Sequence, residues 1–296
     1  MLIKIGSRKS KLAIAQTNLV IAKIKQCFPQ AICEIIPITT TGDIITHRSL
    51  RDIGGKVLFL KEIEQQLVTN KINMAVHSLK DMPGVMPEGL IVSAVLEQID
   101  ARDAFVSFKY KSLADLPKNA IIGSSSVRRK AFLLRIRPDF KVVLFRGNVD
   151  SRIDKLKNGE VDATILGIEG MKRLGIYDHK YCQALDPSIM LPAIGQGVIG
   201  VEIREDNLLM KKVCAQINHE ATWYKMEVER SFLKYLNADC EVPLAANSTI
   251  EDEFINTDFM LASENGSKMI FHSESGHISN AKSIGIRAAR HMLKLS

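Results

Sequence analysis

This chain's sequence predicts a three-domain α/β protein. Strand-like and helix-like segments alternate from the N-terminus, the alternation restarts near Asp103, and beyond Leu236 it gives way to short strands around turns. At 296 residues the chain is longer than one average domain. The expected division is residues 1–98 plus 196–216 as a first α/β domain, 99–195 as a second, and 217–296 as a small α+β third.

In the first domain, Ile3 to Ile5 alternates as a strand does. Leu12, Ala15, Leu19 and Ala22 then recur at helical spacing between Lys9 and Gln26, with Ser7 or Ser10 available as N-cap. A strand is expected over Ile32 to Thr39, a long aperiodic loop to Lys56, and a helix over Leu58 to Thr69. The apolar strand Met74 to Val76 ends at His77-Ser-Leu-Lys-Asp-Met-Pro83. In the second domain, strands at Ala120 to Gly123, Val142 to Phe145 and Ala163 to Leu166 alternate with helices at Val127 to Arg137 and Val149 to Asn158. Pro192 to Val201 combines proline, glycines and an apolar run, as a crossing segment would. A helix over Thr222 to Leu236 opens the third domain. Strands around Ala245, Phe259 to Ala262 and Met269 to Phe271 follow, the last two about an Asn265-Gly266 turn, and a final helix runs from Asn280 to Leu295.

Composition narrows the class of function. Hydrophobic residues at 46% and charged residues at 25% describe a soluble globular protein. No apolar run reaches membrane-spanning length, and the N-terminus lacks the pattern of an export signal. Five cysteines, none in a C-x-x-C pair, make neither a disulfide framework nor a zinc knuckle; cytoplasmic localisation is expected, with no metal and no membrane partner. A net charge of +7 favours an anionic partner. Nucleic acid is not the expected one, because there is no long Lys/Arg run and aromatic residues are only 6%.

The arginines stand beside Gly/Ser turns. Arg8, Arg128, Arg129, Arg146 and Arg152 recur where strands hand over to helices, the place where open α/β sheets bind ligands, and a guanidinium grips a carboxylate with two hydrogen bonds. Ser10, Ser124 and Ser126 read as helix caps, which is compatible with ligand binding. Lys80-Asp81, held by Met82-Pro83, reads either as a surface ion pair or as an acid-base carboxylate beside an anion-binding lysine. Gly54, Gly55 and Lys56 read as a flexible loop or a lid. Gly195-Gln-Gly-Val-Ile-Gly200 has the bare G-x-G-x-x-G spacing but leads into β-branched residues, so it reads as a tight crossing and not as a dinucleotide loop. Cys240, in an Asp-flanked stretch, is either a buried inert thiol or a reactive one.

Nine blocks, in order, resemble the porphobilinogen deaminase (hydroxymethylbilane synthase) family: Gly6-Ser-Arg-Lys-Ser-Lys-Leu-Ala13, Gly54-Gly-Lys-Val-Leu-Phe59, His77-Ser-Leu-Lys-Asp-Met-Pro83, Arg102-Asp-Ala-Phe105, Gly123-Ser-Ser-Ser-Val-Arg-Arg129, Arg146-Gly-Asn148, Gly170-Met-Lys-Arg-Leu-Gly175, Leu191-Pro-Ala-Ile-Gly-Gln-Gly197 and Cys240-Glu-Val-Pro243. The resemblance implies two domains similar to type II periplasmic binding proteins, a cleft between them, and a third domain carrying the cofactor cysteine. It implies a dipyrromethane cofactor held by a thioether to Cys240. Four porphobilinogens would join this primer head to tail, each losing ammonia, before hydrolysis releases hydroxymethylbilane. By the same resemblance, Lys80, Ser126, Arg128, Arg129 and Arg146 would hold the cofactor, and Arg8, Ser10, Arg152 and Arg173 the substrate. Asp81 would protonate the departing amine and stabilise the cationic pyrrole and azafulvene species. The family resemblance suggests a monomer. The alternative function is a small-anion binding module that performs no chemistry.

The chain departs from the family pattern in two places. Lys11 stands where proline is common, and Ala238-Asp239 and Glu241 replace the usual Gly-Gly and Gln around Cys240.

Overall fold

The computed structural model describes residues 1–44, 58–237, 242–263 and 265–295. The chain opens with strand β1 (Leu2–Arg8), helix α1 (Lys11–Cys27), strand β2 (Ile32–Ile38) and helices α2 (Thr41–Ile44) and α3 (Lys61–Val68). Strand β3 (Met74–Ser78) runs into a 3-10 turn, Leu79–Asp81, and β4 (Leu90–Val95) follows. Next come β5 (Asp103–Val106), β6 (Ile121–Gly123), α4 (Val127–Ile136), β7 (Lys141–Val143), α5 (Val149–Lys157), β8 (Ala163–Gly167), α6 (Ile168–Arg173) and β9 (Cys182–Ala184). Strand β10 (Ile199–Arg204) leads to α7 (Leu208–Ile217) and α8 (Glu220–Tyr235), then β11 (Leu244–Glu251), β12 (Phe254–Ala262), β13 (Met269–His277) and α9 (Ala281–Leu293). Strands β4 and β9 and helices α6 and α7 had no separate expectation from the sequence, and the short helix α2 stands at the start of the stretch expected to be loop as far as Lys56.

The described strands form three sheets, ordered β2-β1-β3-β10-β4, β7-β6-β8-β5-β9 and β11-β12-β13. The first two are built alike. Each has three parallel strands, then a strand antiparallel to them, then an edge strand antiparallel to that one. In each sheet the antiparallel strand is the one that enters from the other sheet: β5 follows the chain out of the first, and β10 brings it back. The segments before β5 and before β10 are therefore the two crossings. This is the expected α/β class: two sheet-and-helix units of like topology, plus a small third sheet.

The elements form where sequence and burial agree. Helix α1 buries Ala13, Val20 and Ile24 at helical spacing, the last two in one core with Ile3, Ile5 and Val201 of the sheet. Ser10 caps it by accepting from Ala13 N at 3.2 Å. The second core gathers Phe105, Ile122, Phe132, Leu133 and Ile165, and it also takes in Ala245, Met260 and Ala262 of the third sheet. The β12–β13 turn lies so close to α4 that a Cβ on Gly266 would stand 2.6 Å from Ala131 O. Helix α8 packs on the first unit instead, with Met226 and Trp223 against Leu79, Met82, Val95 and Val198. The third sheet and its helix thus rest on both larger units.

Candidate active site

The Lys80-Asp81 turn is positioned from beneath. Leu79 and Met82 are 2% and 3% exposed, anchoring the turn in the core shared with α8, and Leu79 N donates to Val198 O at 3.0 Å. Burial of those two apolar side chains contributes roughly 1.5–3 kcal/mol each to holding the turn. Upstream, Gln16 Nε2 of α1 donates to Ser78 Oγ at 2.9 Å. Lys80 reaches toward the second unit: a Cβ built on Gly167, at the end of β8, would stand 3.7 Å from Lys80 Nζ. Asp81 acts electrostatically on Arg152 of α5, also in the second unit. The turn belongs to one sheet, and its charged side chains address the other.

Four arginines gather on the second side. Arg128 Nη2 and Arg129 Nη2 donate to the two carboxylate oxygens of buried Asp103 at 2.6 and 2.7 Å. Arg128 Nη1 donates to Leu191 O at 2.6 Å and Arg129 Nη1 to Ile165 O at 2.8 Å. Burial would raise the Asp103 carboxyl, but the two guanidiniums outweigh it and hold it well below the usual carboxylate range. One carboxylate thus serves two cations. Arg146 is also buried, and burial lowers its guanidinium. Arg152 Nε donates to Gly147 O at 2.9 Å. Burial, then the charges of Arg129 and Arg146, lower Arg152 to about 10 against a partial offset from Asp81, so it stays cationic at neutral pH. Ser126 caps α4, accepting from Arg129 N at 3.4 Å.

The first-unit candidates sit at the start of α1. Arg8 forms a bidentate pair with Asp43 and lies over the Phe59 ring at 4.2 Å. Burial would raise Asp43, yet the Arg8 and Thr40 contacts hold it below its ordinary value. Lys11, the departure from the family pattern, places Nζ 3.1 Å from Asp150 Oδ2 at the start of α5, an exposed ion pair joining the two units. Gly170 of α6 comes close to Leu12 of α1, where an added Cβ would stand 3.5 Å from Leu12 Cδ2.

Arg173 lies apart from the arginine cluster, at a crossing. It pairs with Glu169 at 3.3 Å, and its Nη2 donates to Gly197 O at 2.7 Å. Gly197 is at φ +84°, and a Cβ there would meet Asp100 O at 2.7 Å, so the crossing requires glycine. The Gly195–Gly200 segment runs into β10 and not into a helix. Cys240, Gly54, Gly55 and Lys56 lie outside the described residues.

Reading the sequence alone missed three residues that organise this region. Asp103 neutralises the arginine pair. Gln196 Nε2 donates to Ala101 O at 2.7 Å and to Asp103 Oδ1 at 2.9 Å, tying the two crossings to that pair. Glu229 of α8 accepts from Gly195 N at 2.8 Å. An acidic residue opening a fully apolar strand was a signal for Asp103, whereas Glu229 sits in a helix whose charges look like an ordinary solvated face.

The description "Porphobilinogen deaminase, dipyromethane cofactor binding domain" matches residues 3–212, and "Porphobilinogen deaminase, C-terminal domain" matches residues 223–294. The chain belongs to the porphobilinogen deaminase family. It is 57% identical over 292 residues to the protein named porphobilinogen deaminase of Rickettsia canadensis (strain McKiel), covering 98% of this chain and 97% of that one. The corresponding protein of Rickettsia akari (strain Hartford) is 56% identical with the same coverage. A looser likeness is to the Bordetella pertussis BvgS periplasmic VFT2 domain, with a TM-score of 0.46 at 14% identity over 78% of this chain and 92% of that one.

The family's cofactor is a dipyrromethane whose two rings carry acetate and propionate groups. The residues present fit such a polyanion. Arg128 and Arg129 share one fully buried carboxylate, Asp103, while Arg152 feels the charges of Arg129 and Arg146 and, in the opposite sense, of Asp81. Arg152 is driven down in part by its cationic neighbours, a repulsion that an added anion relieves. Arg128 Nε is also buried without a hydrogen-bond partner.

Proposed function

We propose that this chain condenses four porphobilinogens head to tail on a dipyrromethane primer attached to Cys240, releases ammonia at each step, and hydrolyses the product to hydroxymethylbilane. The observation that carries this reading is the juxtaposition of the Lys80-Asp81 turn with the cation excess around Arg146 and Arg152. Chain growth adds carboxylates and passes through a cation, so it needs fixed positive charge for the former and one placed carboxylate for the latter.

The chain's own groups divide the work. Arg146, Arg152 and Lys80 bind acetate and propionate groups. Asp81 gives a proton to the amine that leaves the substrate and then, ionised, faces the positive carbon left behind. When bound, the dipyrromethane supplies the nucleophilic pyrrole carbon to which the first substrate adds. Arg128 and Arg129, fixed by Asp103 at the floor of the site, hold carboxylates of the cofactor with the N–H groups Asp103 does not take, Arg128 Nε among them. Arg8 and Ser10 present the mouth of α1 to incoming substrate, and Arg173 acts through the crossing at Gly197.

The boundaries 1–98 plus 196–216, 99–195 and 217–296 belong to the same proposal, supported by the sheet membership of β10. So does a cytoplasmic monomer, a compartment that suits the free thiols Cys27, Cys33, Cys182 and Cys214. The test compares the intact mass of active protein with that of its Cys240→Ser variant. An adduct of two linked pyrrole units is expected only in the former, together with hydroxymethylbilane formation from porphobilinogen. Active enzyme of unmodified mass would sink the cofactor assignment, and an adduct-free protein that binds porphobilinogen without turnover would favour the binding module.

A further inference from the structure

Helix α8 belongs to the third unit, yet it meets the back of the Lys80-Asp81 turn at every level. Met226 and Trp223 pack in one core with Leu79 and Met82, the residues that flank the charged pair. Arg230 Nη2 donates to Pro83 O at 2.8 Å, on the C-terminal side of the turn. Glu229 Oε2 accepts from Gly195 N at 2.8 Å. Gly195 in turn lies under the turn: at φ +69°, a Cβ there would stand 3.1 Å from Leu79 Cγ and 3.2 Å from Lys80 N. Beyond the turn, Gly84 presses on the same helix, with an added Cβ 3.0 Å from Leu233 Cγ and 3.3 Å from Lys234 N. Two consecutive residues of α8 thus hold the Gly195 segment that packs against the turn and Pro83 that follows it.

Both contacts are well supported. Glu229 is 2% exposed and is also hydrogen-bonded by Ser248 of β11. Arg230 is half-buried and faces the charge of Glu202, which lies 2.9 Å from His77 Nε2 beneath the same turn. Such a buried polar network holds a single geometry because each broken contact leaves a desolvated group unpaired.

We infer that Glu229 and Arg230 are positioning residues for Asp81, and that α8 thereby links the third unit to the acid-base turn. The inference rests on the proposed role of Asp81. Its consequence is geometric: the helix immediately preceding the Cys240 segment in sequence also sets where the catalytic carboxylate stands. A displacement of about 1 Å at a reacting group costs on the order of a hundredfold in rate, so a loosened grip should appear in kcat.

The test uses the full-length, cofactor-loaded enzyme, its loading verified by intact mass so that failure of the wild-type reading is seen separately. Arg230→Met is expected to lower kcat about tenfold or more with KM within about twofold, because the carboxylate is misplaced while the anion-binding arginines are untouched. Arg230→Lys, which can still donate toward Pro83 O, should recover part of the loss. Ile255→Ala in the third-unit core is the control for stability, since Ile255 is buried in β12 and belongs to a different cluster from the turn. It should melt lower yet keep kcat. If Arg230→Met does not fold, Arg230→Gln and Arg230→Lys replace it, and kcat should then fall in the order wild type, Lys, Gln. A loaded, folded variant with unchanged kcat overturns the inference, as does an Ile255→Ala protein that shows the same kcat loss.

Discussion

Asp103→Asn isolates the charge balance at the floor of the cleft. Asp103 is fully buried and takes four donors: Arg128 Nη2 at 2.6 Å, Arg129 Nη2 at 2.7 Å, Arg129 Nε at 3.2 Å and Gln196 Nε2 at 2.9 Å. Asparagine replaces one oxygen with an NH2 group that only donates. Whichever way the amide turns, a donor then faces a guanidinium donor, and two buried cations lose their counter-charge. Removing one partner of a buried ion pair costs about 3–5 kcal/mol. That is a large share of a typical total of roughly 5–15 kcal/mol. At roughly 2–4 °C per kcal/mol for a chain of this size class, the melting temperature should fall by about 10 °C. Urea titration followed by circular dichroism reads the loss directly. The pH dependence fixes its origin. Because the folded carboxyl is held below its unfolded value, its stabilisation is fully present above about pH 4 and is lost only as pH falls through the folded value. The gap between wild type and variant should therefore be flat from about pH 5 to 8 and narrow only in acid. A gap below about 1 kcal/mol at neutral pH would falsify the assignment of Asp103 as counter-ion to the arginine pair.

Two further outcomes follow from the same structure. Asp81→Asn should keep its melting temperature and lose about 10²–10⁴-fold in turnover, and near-normal rates measured with porphobilinogen would remove Asp81 from the chemistry. Glu229 is pushed up to about 7 by burial, against the Gly195 and Ser248 hydrogen bonds and the charge of Lys225, so it takes up protons on folding between its unfolded value and about 7. The stability its protonated form supports is present at low pH and lost as pH rises through about 7, on the order of 3 kcal/mol in all. Glu229→Gln should therefore gain on wild type as denaturation is measured from about pH 5 to 8, whereas a constant difference across that range would show that Glu229 does not titrate.

The fold class was legible because its signals are local. Period-3.6 apolar spacing in α1, with Ser10 as cap, and apolar runs such as Met74 to Val76 survive translation into structure, since each element buries the face its own sequence marks. Helix α6 and strand β9 were not legible, because segments of six and three residues carry too few periods to distinguish helix from strand. The candidate site divides in the same way. Lys80 and Asp81 were readable as a fixed turn, but the residues that fix it, Glu229 and Arg230, lie far along the chain in a helix with an unremarkable charge pattern.

The sequence by itself determined the alternation of elements, the surplus of arginine at strand ends and the order of the family motifs, because these are properties of neighbours along the chain. The tertiary structure alone decided which of those arginines are committed. Arg128 and Arg129, expected to hold a cofactor, also share Asp103. Arg173, expected on substrate, also donates to Gly197 O. The physical reason is desolvation. A buried guanidinium must find acceptors, and which backbone carbonyl or carboxylate lies within reach depends on how the crossings bring Leu191, Ile165 and Gly197 back to the helices, a matter of packing that no local pattern records.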